Sequence, residues 1–201
     1  MKKIIFLILC SVMSLPIYAA SKIADFLKNA NTIQADFIQT SVSGTKTTKT
    51  DGNFEILRPN NFKWVYVANA QEIVGNGTNI YVYDKDLAQI TVRKFDSSVD
   101  KSPAFLLSGG NQVDKYYNVK TLKINDDNLA WEEVIPKDQS SNNGFRSMLI
   151  GFDTSSKIKE FRFEDEFANK VTLVLTNLRV NQKISPKEFQ FKIPKGVDVL
   201  E

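Results

Sequence analysis

Apolar and polar residues alternate with a period of two along most of this chain, the pattern of strands that keep one face dry and the other wet. Ile33 to Ser41, Gly52 to Arg58, Phe62 to Ala68, Glu72 to Gly75, Ile80 to Tyr83 and Gln89 to Phe95 read this way. So do Val119 to Ile124, Leu129 to Ile135, Phe145 to Phe152, Ile158 to Glu164, Val171 to Val180 and Phe189 to Ile193. Asn76-Gly77-Thr78-Asn79, Asn125-Asp126-Asp127-Asn128 and Asp153-Thr154-Ser155-Ser156 separate neighbouring runs with turn residues, so those strands are expected to be antiparallel. Three short helices interrupt the alternation. Ile23, Phe26, Leu27 and Ala30 fall at i, i+3, i+4 and i+7 behind Ser21, which predicts an amphipathic helix over 21–30. Ser102 caps a second helix, with Pro103 at its first position, Gly109 at its end, and the nearly all-apolar turn Ala104, Phe105, Leu106, Leu107 between them. Ser185-Pro186-Lys187-Glu188 predicts a single capped turn. Helices this short do not hold alone in water, so each must dock its apolar side on the sheet. A curved antiparallel sheet with small helices over its mouth follows.

One charge breaks the apolar stripe. In a strand from Gly52 to Arg58, the side chains of Phe54, Ile56 and Arg58 share a face, and Pro59, with no N–H for a ladder, ends the strand. Phe62, Trp64 and Tyr66 then align on one face of the next strand. A cation set against aromatic surface costs several kcal/mol unless its donors are paired. Phe37, Phe161, Phe163, Phe189 and Phe191 add further aromatic bulk on alternating positions. Together with Arg58 and the helix of Phe105 to Leu107, this predicts an aromatic-lined cavity closed by movable helices.

The first residues do not belong to that design. Lys2 and Lys3, the apolar run Ile4 to Leu15 and Ile17-Tyr18-Ala19 read as a secretory signal over 1–19, with 20–201 as one mature domain. The run is too short to cross a bilayer, and no later segment nears the ~20 apolar residues a spanning helix needs. Leu9 stands where a lipidation signal wants a small residue before Cys10, so a periplasmic product is expected and not a lipid-anchored one. Cleavage removes the only cysteine, leaving burial by 13 of the 14 Phe, 5 of the 6 Tyr and both Trp to hold the fold. It also takes two of the 26 basic residues, leaving 24 against 23 acidic ones, a net charge of +1 that gives nucleic acid no concentrated basic face.

The chemistry on offer is thin. The chain has no histidine, which with the loss of Cys10 excludes Ser-His-Asp and Cys-His catalysis and the common zinc sites. No phosphate-cradling glycine loop occurs, and Ser-x-x-Lys at Ser43/Lys46, Ser98/Lys101 and Ser156/Lys159 lacks every companion motif. Asp126/Asp127 and Glu132/Glu133 read as solvated faces beside a turn, and Lys46-Thr47-Thr48-Lys49 as a solvated loop. A monomeric binding protein is expected, with no enzymatic activity, metal or cofactor.

The run R-P-N-x-F-x-W at Arg58 to Trp64, behind the alternating G-x-F-x-I strand, resembles the signature of the LolA family of periplasmic lipoprotein carriers. Ser-Pro-Ala-Phe-Leu-Leu at Ser102 to Leu107 and F-x-F-x-x-P-x-G-V at Phe189 to Val197 follow in the same order, so the likeness runs nearly end to end. It implies an incomplete, unclosed β-barrel with a lid of short helices over an apolar cavity. It implies a chaperone that takes lipoproteins from an inner-membrane ABC-type release complex, shelters their acyl chains, and hands them to an outer-membrane acceptor. On that basis Phe37, Phe54, Ile56, Trp64, Tyr66, Phe161 and Phe163 are expected to line the cavity, with Ile23, Phe26, Leu27, Phe105, Leu106 and Leu107 on the lid. Arg58 is expected to latch that lid by bonding carbonyls at the helix ends, and Phe62 to lie near the donor contact. The chain stops at Glu201, slightly earlier than the family pattern suggests. Two other readings share much of this evidence: a protein of the same fold that senses lipoproteins or carries a different lipid, and an outer-membrane β-barrel. Against the barrel, Lys63, Lys159 and Lys192 would interrupt its lipid-facing band.

Overall fold

The chain enters the fold through helix α1 (Lys22–Asn29), where the Ser21 hydroxyl accepts a hydrogen bond from the Ala24 N–H at 3.2 Å and Ile23 and Leu27 turn inward. The structure is a computed structural model and describes residues 21–95, 102–110, 113–124, 128–138, 145–165 and 167–200. The leader expected over 1–19, with Cys10, and residues 125–127 of one expected turn lie outside them.

Six strands follow, β1 (Thr32–Ser43), β2 (Lys46–Leu57), β3 (Asn61–Tyr66), β4 (Gln71–Asn76), β5 (Asn79–Asp84) and β6 (Gln89–Lys94). Helices α2 (Pro103–Ser108) and α3 (Val113–Tyr116) lead into β7 (Tyr117–Leu122), β8 (Ala130–Pro136), β9 (Met148–Phe152), β10 (Ile158–Glu164) and β11 (Lys170–Val180). A 3-10 turn (Pro186–Phe189) and the short β12 (Asp198–Leu200) end the chain. All twelve strands form one sheet in the order β12-β6-β5-β4-β3-β2-β1-β11-β10-β9-β8-β7. Every neighbouring pair is antiparallel except β12 with β6, which is parallel.

Alternation makes the sheet two-faced, and the apolar faces turn toward one another. Ile80 of β5 and Val134 of β8, from opposite sides of the strand order, share one buried cluster with Phe37, Phe54, Phe62 and Phe161, so the sheet curls around its own core. Register breaks at Gln34/Asp36 and Ile158/Glu160 mark the bulges that help it bend. The lid helices complete the cluster with Ile23, Leu27, Phe105, Leu106 and Leu107. No closing ladder joins β7 to β12 among the described residues, so two edges stay free. Free edges fit an open wrap and not a strand barrel facing lipid, where an edge would leave backbone groups unsatisfied.

The expected turns at Asn76 and Asp153 form as the side chains dictate. Asn76 Oδ1 accepts from Thr78 and Asn79 N–H at 3.0 and 2.8 Å, and Asp153 Oδ1 from Ser155 and Lys157 N–H at 2.9 and 3.0 Å. Four expectations need correction. Lys46–Lys49 is no loop but the exposed arm of β2, paired with β1 through Ser43↔Lys46 to Thr40↔Lys49. Phe189 to Ile193 is not a strand: Phe189 ends the 3-10 turn and Phe191 stacks on Tyr81 at 4.9 Å, outside the main core. Tyr81 alternates with the inward Ile80 and Val82, so this aromatic pair lies on the outer face of the sheet. Residues 145–147 precede β9, although Phe145 is buried. Glu132, read as solvated, is 1 % exposed.

Candidate functional site

Arg58 stands one residue beyond the end of β2, where its own N–H donates to Asn31 O at 2.9 Å. Its guanidinium reaches the C-terminal ends of both main lid helices. Nε and Nη2 donate to Gly109 O, the carbonyl capping α2, at 2.9 and 2.6 Å, while Nη1 donates to Ala30 O at 2.9 Å and to Leu27 O on α1. The last carbonyls of a helix have no partner inside it and carry the negative end of its dipole, so two such ends converge on one cation. Burial lowers the pKa of the guanidinium from its ordinary value. The rest of the motif serves the same junction. Asn60 takes φ +67°, a left-handed conformation that Asn tolerates, and its N–H donates to Ser108 O of α2 at 2.8 Å.

The other end of α1 meets the opposite charge. The buried Glu132 carboxylate on β8 accepts from Lys22 N–H at 2.6 Å, Ile23 N–H at 2.9 Å and the Ser21 hydroxyl at 3.2 Å. An anion at the start of the helix and a cation at its end both complement its dipole. Asn181, beyond β11, adds a third tie, accepting from Asn31 N–H at 2.7 Å and donating from Nδ2 to Asn29 O at 2.9 Å.

Between α2 and the inner face of the sheet lies a hollow of about 550 Å³. Phe62, Trp64, Tyr66, Ile73, Ile80 and Val82 form one wall, Phe145, Phe163, Val171 and Leu173 the other, and Pro103, Ala104 and Phe105 the roof. Arg93, Asp165 and Phe167 also border it, Phe167 with 76 % of its surface exposed. Ring contacts bind roof to wall: Phe105 meets Phe62 edge-on at 5.5 Å and Phe95 at 5.0 Å. Burial pushes the Tyr66 phenol up to about 12, tempered by the nearby Trp64 indole N–H, which still completes no hydrogen bond of normal geometry.

The structure therefore divides the residues named from sequence. Trp64, Tyr66 and Phe163 line the hollow. Phe37, Phe54, Ile56 and Phe161 do not: each is at most 1 % exposed and packed in the core behind it, where Phe54 stacks on Trp64 at 4.5 Å. Phe62 lines the hollow but is 1 % exposed overall, so it presents no outer surface to a partner while α2 is down. Of the lid set, Ile23, Leu27, Phe105, Leu106 and Leu107 are buried, and Phe26 is half-buried against the core. Sequence reasoning missed Glu132 and Asn181, whose partners are more than a hundred residues distant. Among the described residues no group of three or more His, Cys, Asp or Glu could hold a metal, and no helix is long and apolar enough to cross a membrane.

A half-open sheet, roofed by short helices over an aromatic hollow, is the class of architecture the fold defines. Comparison with known proteins narrows that class. The family model described as outer membrane lipoprotein carrier protein LolA matches residues 28–192. An outer-membrane lipoprotein carrier protein of Nitrosomonas europaea is 33 % identical over 100 % of this chain and 99 % of its own length. Its counterparts in Chromobacterium violaceum and Neisseria meningitidis serogroup C are 35 % and 34 % identical, covering 90 % and 97 % of this chain and 87 % and 95 % of theirs. This chain belongs to the LolA family of outer-membrane lipoprotein carrier proteins. In fold it is similar to a LolA superfamily protein of Nitrosomonas europaea, with a TM-score of 0.51 at 11 % identity over 85 % of this chain and 94 % of that one. A Thermus thermophilus protein is similar too, with a TM-score of 0.54 at 11 % identity over 89 % and 96 %.

Proposed function

We propose that this protein is a periplasmic chaperone that carries lipoproteins by sheltering their acyl chains in the hollow beneath α2. The observation that carries the reading is the junction at Arg58: a mostly apolar hollow of about 550 Å³, inside the ~300–1,000 Å³ range of ligand pockets, has a roof tied down by one cation. An acyl chain gains about 0.8 kcal/mol per buried methylene, on the order of 10 kcal/mol in all, so it does not cross water unaided. A carrier must also let go. In this reading the guanidinium closes the empty state, and a guest must break its bonds to Gly109, Ala30 and Leu27 to enter, which keeps binding weak enough to reverse. Phe37, Phe54, Ile56 and Phe161, packed in the closed state, become wall for the guest as the lid lifts.

The proposed route begins at an ATP-driven inner-membrane complex and ends at an outer-membrane acceptor, the protein acting as a monomer after loss of residues 1–19. With no nucleotide site of its own, the carrier takes energy from the donor and direction from the acceptor's greater affinity. Phe62 meets the donor only once α2 has moved. The test is to mix the purified protein, without detergent, with an outer-membrane lipoprotein in its acylated and unacylated forms. The acylated form is expected to co-elute as a soluble one-to-one complex and the unacylated form to elute alone. Equal retention of both, or precipitation of the acylated form, would overturn the reading.

A further inference from the structure

The hollow has a polar strip in its wall that an acyl chain's hydrocarbon does not need. Tyr66 donates from its hydroxyl to Gln39 Oε1 at 3.2 Å, and Gln39 Nε2 donates to Ser41 Oγ at 3.2 Å. Gln39 and Tyr66 both line the hollow, and their strands are not neighbours: β2 runs between them. The β2 position beside both Tyr66 and Phe37 is Gly52. A Cβ there would lie 2.6 Å from Phe37 Cζ and 1.9 Å from Val65 O, so only glycine lets the Phe37 ring lie over β2, where it meets the Tyr66 ring edge-on at 5.3 Å.

One donor on this strip is left over. One amide hydrogen of Gln39 remains after its bond to Ser41. Trp64, 4 % exposed and two residues from Tyr66 on the same face, has a buried indole N–H that lies near the Tyr66 oxygen yet completes no hydrogen bond of normal geometry. A buried N–H without a well-formed hydrogen bond costs free energy that a better-placed acceptor would recover. The strip itself is uncharged, with Arg93 and Asp165 elsewhere on the border of the hollow, so its spare donor suits an uncharged acceptor oxygen carried on an apolar chain.

We propose that Gln39 and Tyr66, with Trp64 beside them, form a subsite for the acyl carbonyl of the guest, the ester oxygen at the head of its fatty chain. The spare Gln39 N–H donates to the carbonyl oxygen, Tyr66 holds the amide in the orientation that presents it, and the indole N–H gains an acceptor as the lid lifts. This proposal rests on the acyl-binding reading above. It gives the hollow a register: the chain's polar head stops at the strip, and its methylenes run on among the aromatic rings.

Two lipids that differ in this one group decide the matter. 1-Monopalmitoylglycerol and 1-O-hexadecylglycerol compete with N-phenyl-1-naphthylamine for the purified protein, followed by loss of dye fluorescence. The ester is expected to displace the dye at about three- to tenfold lower concentration than the ether, the worth of one uncharged hydrogen bond. Gln39→Leu is expected to bring that ratio to about one. As a second readout on the unmodified protein, the indole ¹⁵N–H resonance of Trp64, one of 2 tryptophans, shifts with the ester and not with the ether. Equal displacement by ester and ether, a ratio that survives Gln39→Leu, or an indole signal indifferent to the carbonyl would each overturn the subsite and leave the acyl hollow standing. No displacement by either lipid would overturn the acyl hollow itself, and the subsite with it.

Discussion

Arg58 and Glu132 sit at opposite ends of one eight-residue helix, and their chemistry predicts different consequences when each is changed. Arg58→Leu keeps an apolar stem but removes every donor, and two of the three carbonyls it releases belong to the buried Leu27 and Ala30. Unfolding by denaturant is expected to show a loss of about 1–2 kcal/mol, while handover of acylated cargo to outer membranes slows markedly. Arg58→Lys should behave the same way, because an ammonium carries the charge without the planar fork that spans two helices. Wild-type handover by Arg58→Lys would show that charge alone closes the lid. Glu132→Gln replaces one acceptor oxygen with an NH₂ that faces backbone donors. Amide hydrogen exchange at Lys22 to Ala24 should then speed up, with a stability loss of about 1–3 kcal/mol, and unchanged protection there would refute the anchoring role. Only one of these residues was legible in the chain. Arg58 interrupts an apolar stripe, which alternation makes visible; Glu132 looks like any surface glutamate beside Glu133, because its partners are backbone N–H groups brought close by folding.

Among the elements, the strands with one wet and one dry face were readable because burial imposes the period of two. The misreadings fall where some other force set the conformation. Phe189 to Ile193 alternates aromatic residues like a strand, yet Phe189 is buried at the end of the 3-10 turn, Phe191 packs on Tyr81 and Tyr83, and the segment makes no ladder. Lys46 to Thr50 is polar on both sides and so carries no alternation, yet its backbone pairs with β1 along the whole hairpin arm. α3 and β12, of 4 and 3 residues, are too short to leave any period. Gly52 is the most sensitive position in the strands. Gly52→Ala forces a methyl into Val65 O and the Phe37 ring, neither of which can step aside without parting β2 from β3. Denaturant midpoints are expected to report a loss of at least about 1–3 kcal/mol, and an alanine variant of wild-type stability would mean the strands yield more easily than this packing implies.

For the molecule as a whole, two buried phenols set the alkaline limit. Tyr66 and Tyr117 are both pushed up to about 12, chiefly by burial, so the folded state holds these protons more tightly than the unfolded chain, where tyrosine titrates near 10. The stability this gives is fully present below about pH 10 and is lost as pH rises through about 12. Melting temperatures should therefore decline between those values, and Tyr66→Phe and Tyr117→Phe should each flatten the decline; identical slopes would show that other groups control it. The unjoined margins β7 and β12 have a different consequence. A ring of strands has a girth fixed by its strand number and stagger, and it widens only by rupturing a seam. A scroll widens by uncurling, with every rung intact, so the girth of this sheet can change at a cost set by its bending stiffness alone.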